Sequence, residues 1–301
     1  MLHTPNSLQF PAMHSAQLCL LLPGLAAGLV VPLTAANPRS ALAGVSLPRV
    51  SDGAIVDVGY ASCGADGGRT MVVLGTYPAD FNMIEYGQRL RHHLPELKAK
   101  GIGRFLVVVN GQAQSCKKLV DLLDLPAELE VLSDPVGEAG RRFGVSRGWK
   151  PDDATLNPYL KLYIMLFGVG PPATLPAVVT GYLGNPSGRR AWIESALEQG
   201  QRMGRWPDNV LDLSSAPMQN KFDGLPLVGG WGRRPLELAT LRLQNLKMAF
   251  DNWEALKPTD DRCLTQLGGC VVVGADGEAL YSWIDNGICD VADFDSIIAA
   301  L

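Results

Sequence analysis

Five consecutive apolar residues, Phe105-Leu106-Val107-Val108-Val109, constrain the fold more than any other feature of this sequence. A strand with one wet face alternates apolar and polar residues, whereas an unbroken, β-branched run suits a strand buried on both faces of a sheet. Such a strand needs helices above and below it. Its neighbours read accordingly. Pro78-Ala79-Asp80 opens a helix running to about Lys100, with Phe81, Ile84, Leu90, Leu94 and Leu97 on one side and Pro95 expected to bend or interrupt it. Gln112 to Leu123 reads as a second helix and Leu129 to Leu132 as a short strand. Ser133-Asp134-Pro135 then leads into a helix ending near Phe143-Gly144.

Upstream, Ala54–Tyr60 and Thr70–Thr76 read as two strands around a Gly-rich turn at residues 64–68, which predicts a hairpin. Near the other end, Cys270-Val271-Val272-Val273, a Gly-Ala-Asp-Gly turn and Ala279-Leu280-Tyr281-Ser282-Trp283 form a second hairpin. A short helix from Ala292 to Leu301 follows, with Asp290 or Asp293 near its start. Alternating strands and helices, then a hairpin and a helix, give an α/β chain with the connectivity of a thioredoxin-like mixed sheet covered by helices on both faces. A helical insertion of about residues 150–260 precedes the C-terminal hairpin. It holds helical stretches near Asn157–Phe167 and Pro235–Leu256, the latter with Pro235 at its first position. The expected organisation is an N-terminal extension over 1–49 and one domain over 50–301.

Composition narrows the functional classes. Hydrophobic residues make up 47% of the 301 and charged residues 19%, which excludes a disordered tail. The net charge of −4 argues against a general electrostatic hold on nucleic acid or anionic lipid. Six cysteines, at 19, 63, 116, 263, 270 and 289, include no CxxC pair, and only four histidines accompany them. A metal site is therefore not expected. Neither a Walker nor a dinucleotide glycine motif occurs, so no cofactor is expected either. His92 and His93 lie on a polar helix face, and a Ser-His-Asp site is poorly supported.

Residues 1–38 contain no Asp, Glu, Lys or Arg, and Leu18–Ala36 is nearly all apolar. One reading is a cleaved export signal with small residues at Ala41-Leu42-Ala43, although a basic start is missing. The other is a poorly ordered extension or a start codon assigned too far upstream. Pro23 and Pro32 disfavour a membrane-spanning helix.

The phrase Thr76-Tyr77-Pro78-Ala79-Asp80-Phe81-Asn82-Met83-Ile84-Glu85 resembles the peroxiredoxin motif Pro-x-x-x-Thr-x-x-Cys, which follows a strand and enters a helix. Further likenesses are Ser133-Asp134-Pro135, Arg142-Phe143-Gly144-Val145, residues 181–185, residues 234–242 and Gly277-Glu278-Ala279-Leu280-Tyr281. Over about residues 50–301 the chain is similar to peroxiredoxin-like proteins of the alkyl hydroperoxide reductase and thiol-specific antioxidant group, especially cyanobacterial and plastid forms. The resemblance implies an antioxidant scaffold, a thioredoxin-type reductant or a protein as partner, and residence in a cyanobacterial cytoplasm or a plastid stroma. Export is the alternative if residues 1–43 are a signal.

Within that resemblance, Pro78 keeps the motif, Asn82 stands at the Thr position and Glu85 at the Cys position. A carboxylate cannot form a sulfenic acid, so peroxidase chemistry at the usual site is not expected. Cys116 is the candidate catalytic thiol: it falls in the first turns of a helix beside Lys117 and Lys118, a setting that favours a thiolate. Cys63, in a Gly-rich loop, is the second choice. A reachable, low-pKa Cys116 facing Asn82 and Glu85 supports a thiol oxidoreductase, and a buried one supports a binding scaffold. Cys263, Cys270 and Cys289 are near enough in sequence for a disulfide to be an open question. Arg233 and Arg234, just before the Pro235 helix, are candidates for binding an anion.

Overall fold

The computed structural model describes residues 37–63, 68–205 and 210–301. The apolar stretch Leu18–Ala36 and the turn at 64–67 lie outside the described residues. At the centre is a five-stranded sheet built from β1 (Arg69–Leu74), β2 (Ile102–Val109), β3 (Leu129–Ser133), β4 (Gly269–Val273) and β5 (Ala279–Ile284), in the order β3-β2-β1-β4-β5. The first three strands run parallel, and β4 and β5 complete the sheet antiparallel. This mixed sheet and its helices form a thioredoxin-like fold.

Among the described residues, the helices of six residues or more are α1 (Phe81–Ala99), α2 (Ala113–Leu123), α3 (Glu138–Phe143), α4 (Pro158–Leu166), α5 (Thr174–Leu183), α6 (Ala191–Arg202), α7 (Glu237–Asp251) and α8 (Phe294–Ala300). Alternate residues of the central strands enter separate cores. Met71, Val73, Phe105, Val107 and Val109 meet side chains of α1, α2 and α8. Val72, Leu74, Leu106, Val108 and Val271 face Leu42, Val45, Leu47 and Phe143 on the other side. Neither face of β2 is left for solvent, which is why its sequence does not alternate. Because Leu42, Val45 and Leu47 fill this second layer, the packed body begins ahead of residue 50.

The first hairpin does not form. Ile55–Asp57 pairs with Ser46–Pro48, and Asp57 then caps a short helix, Val58–Ala61, by accepting from the Tyr60 N–H at 2.9 Å. Both edges of β1 are taken by β2 and β4, leaving none for residues 54–60. Helix α1 continues through Pro95. Near the C-terminal end of a helix, the missing proline N–H removes one bond without ending the structure. Two further helices of the insertion, α5 and α6, lie between the two helical stretches read from the sequence. Helix α6 buries Trp192, Ile193, Ala196 and Leu197 against Leu238 and Leu241 of α7. Helix α7 starts at Glu237, after Leu236 takes a positive φ of 66°, so Pro235 lies outside it.

Candidate functional site

The loop after β1 and the first turns of α1 meet the segment after β5 in a buried polar cluster. Asp80 caps α1: its Oδ1 accepts from the Asn82 N–H at 2.8 Å and from Thr76 Oγ1 at 2.9 Å. Complete burial lifts its pKa from 3.8 to about 6 against the pull of those bonds. Asn82 is wholly buried. Its amide donates to Asp285 Oδ2 at 2.7 Å and to the Gly287 carbonyl at 3.1 Å, and its Oδ1 accepts from the Cys289 N–H at 2.7 Å. The Tyr86 hydroxyl donates to the other Asp285 oxygen at 2.7 Å and accepts from the Ala292 N–H at 3.3 Å. Desolvation raises Asp285 to about 8 despite its bonds to Asn82 and Tyr86.

Glu85 lies one turn further along α1 and is 1% exposed. Its Oε1 accepts from Arg89 Nη2 at 2.6 Å and its Oε2 from Arg242 Nε at 3.2 Å. Burial alone would raise its pKa, but Arg242 and then Arg89 more than reverse this and hold it below the ordinary carboxylate value. Both guanidiniums are also tied elsewhere. Arg242 donates to the carbonyls of Ala177 at 2.7 Å and Cys289 at 3.2 Å. Arg89 donates to the Ala292 carbonyl at 3.0 Å and lies 4.5 Å from the centre of the Trp192 ring. Glu85 thus joins α1 to α7 of the insertion, and Arg242 extends the link to the C-terminal loop. Cys289 has a φ of 66°, unusual for a non-glycine residue, and its two backbone bonds to Asn82 and Arg242 hold it there.

A family model for the AhpC/TSA antioxidant enzyme matches residues 89–287. The chain belongs to this family. No curated protein and no solved structure matches it. The match covers the AhpC/TSA frame from within α1 to the loop after β5, and therefore includes Arg89, Arg242 and Asp285. Pro78, Asn82 and Glu85 lie just before it.

Cys116 does not join the cluster in this AhpC/TSA chain. It is 0% exposed, and its thiol faces the carbonyls of Gly111 at 3.5 Å and Val109 at 3.9 Å. Burial pushes it up to about 12, the reverse of the thiolate setting expected from its helix position. Lys117 points outward and pairs with Asp121. Pro78 packs beside Gly111 on the same side as Cys116. Cys63 is partly exposed, with its thiol 3.6 Å from the Gly59 carbonyl. Cys263, Cys270 and Cys289 are buried free thiols, so the open disulfide question resolves to unpaired cysteines. Burial raises the pKa of all three.

The two arginines expected to bind an anion separate. Arg234 is wholly buried and spends its charge on Glu237, Glu194 and Asp223, so it is an internal tie. Arg233 is half-buried, its Nε has no hydrogen-bond partner, and burial with the nearby Arg89 and Arg242 charges lowers its pKa. Sequence reading missed Tyr86, Arg89, Arg242 and Asp285, and took Cys289 only as a possible disulfide partner. Arg89 was within reach, because it stands four residues after Glu85 on a helix. Tyr86, four residues after Asn82 on the same helix, was equally near, whereas Arg242, Asp285 and Cys289 are distant in sequence and come together only through the fold.

Proposed function

We propose that this AhpC/TSA chain does not reduce peroxide at the family's usual position and uses the thioredoxin-like frame for binding in a redox setting. The observation that supports this most is the state of Glu85. At the position where the resemblance calls for a peroxidatic thiolate, a buried carboxylate is held by two guanidiniums. Peroxide reduction needs a sulfur that attacks one peroxide oxygen and carries it away as a sulfenic acid, and a carboxylate has no equivalent. Arginines beside such a position lower the pKa of a thiolate, and here the same kind of charge stabilises Glu85. Arg233 supports an anion as ligand, since its buried Nε is unpartnered, with Arg89 and Arg242 as well as Glu85 and Asp293 nearby.

A thiol oxidoreductase is the second reading, and it rests on Cys63, the one described cysteine that is not buried. The resemblance to cyanobacterial and plastid forms supports a cyanobacterial cytoplasm or plastid stroma, with a thioredoxin-type reductant or a protein as partner.

Hydrogen peroxide turnover with thioredoxin, its reductase and NADPH tests the proposal, using the full chain and its Cys116→Ser and Cys63→Ser variants. The expected result is no turnover above the reductant alone in any of them. Turnover that one substitution abolishes, with sulfenic acid or disulfide at that cysteine, would overturn it.

A further inference from the structure

Helices α4 and α5 turn large apolar side chains to solvent. From Tyr159 to Leu183 the sequence carries one charged residue, Lys161, and that residue is buried at 5% exposure. The solvent side of α4 and the residue after it consists of Tyr159, Leu160, Tyr163, Leu166 and Phe167. Helix α5 presents Leu175, Val179, Tyr182 and Leu183. Both sets follow the i, i+4, i+7, i+8 spacing of a single helical face. An ordinary surface helix turns that face inward and its charges outward; α4 buries its one charge and exposes the apolar face, and α5 exposes an apolar face and carries no charge at all. The faces adjoin. The helices pack against each other, Leu175 lies over Gly168 at the turn between them, and the Phe167 ring meets Tyr163 edge-on at 5.1 Å between centroids.

We propose that this uncharged double-helix face is the contact of a homodimer, with α4 and α5 of one copy packed on α4 and α5 of the other around a two-fold axis. Size supports this. Nine large apolar residues exposed by 39% to 59% present on the order of 800 Å², about what each partner contributes to a stable interface. Chemistry supports a second copy in particular. A two-fold contact sets a patch against itself, so a charge near the axis meets its own copy and one away from it needs an opposite charge on the same patch, and this patch carries none. Rings and aliphatic chains without charge are also what the centre of a homodimer interface contains. A lipid surface fits less well. Helices that lie in a membrane interface carry Lys and Arg along their polar side, whereas α4 has one buried Lys and α5 has no charged residue.

Sedimentation velocity of the full chain at micromolar concentration tests this, alongside Tyr163→Glu and Val179→Lys on the face and Leu227→Glu as a fully exposed control elsewhere. Circular dichroism melts confirm that each variant is folded, and either face substitution suffices if the other fails to fold. The account expects a dimer for the wild type and the control, and a dissociation constant raised at least about tenfold by the face substitutions. A wild type that sediments as a monomer would overturn it. That holds whether the face is covered by the chain's own residues or carries the protein up with phosphatidylcholine vesicles in flotation. A dimer that survives the face substitutions would overturn it equally.

Discussion

The Asn82 amide donates to Asp285 at 2.7 Å across 203 residues of chain, and so locks the first turn of α1 to the loop that follows β5. Asn82→Ala removes that bond together with those to Gly287 and Cys289, leaving buried groups unpaired. The expected loss is about 2–4 kcal/mol in urea denaturation. A loss below about 0.5 kcal/mol, the range of ordinary surface changes, would show that the cluster does not hold these segments together.

Glu85→Gln should be at least as severe for a different reason. It leaves Arg89 and Arg242 buried without a counter-charge, and breaking one side of a buried ion pair costs about 3–5 kcal/mol. Because folding lowers the Glu85 pKa, its contribution is present above the ordinary value of 4.5 and fades as pH falls through the lower folded value. Denaturation of the wild type and the variant across the acid range should therefore converge as pH drops.

Asp285 acts with the opposite sign. Its folded pKa of about 8 exceeds the ordinary 3.8, so the native state binds the extra proton between those values. Its contribution is complete below about pH 4 and declines as pH rises toward about 8. Asp80, lifted to about 6, adds to the slope over a narrower range. Asp285→Asn should flatten the fall in stability from pH 5 to 8, measured by denaturant midpoint. An unchanged slope would mean that Asp285 ionises normally in the fold.

The sheet was legible because its signal is local. The runs Phe105–Val109 and Val271–Val273 state their burial in consecutive residues, and the structure places them on either side of the central strand β1. Helix α5 was not legible. Its outward face is as apolar as its inward one, which removes the periodicity that marks a helix. The site was half legible. Asn82 and Glu85 were found by spacing, but their partners Asp285 and Arg242 come from elements about 160 to 200 residues away. Cys116 misled because helix position and adjacent lysines speak for a thiolate, while its burial comes from the strand and loop packed over it.

Alkylation of the native protein should separate the described cysteines. Iodoacetamide followed by peptide mass spectrometry is expected to label Cys63 first, with Cys116, Cys263, Cys270 and Cys289 protected until denaturant is added. Native-state labelling of Cys116 at the rate of Cys63 would contradict its burial.

The most direct test of the central claim is rapid mixing of the fully reduced chain with a small excess of hydrogen peroxide, following peroxide loss and the oxidation state of each cysteine. The account predicts consumption no faster than that of a free cysteine in solution, with no single thiol oxidised preferentially. Fast stoichiometric loss of peroxide with sulfenic acid at one cysteine would contradict it, because the fold would then hold a working peroxidatic thiol.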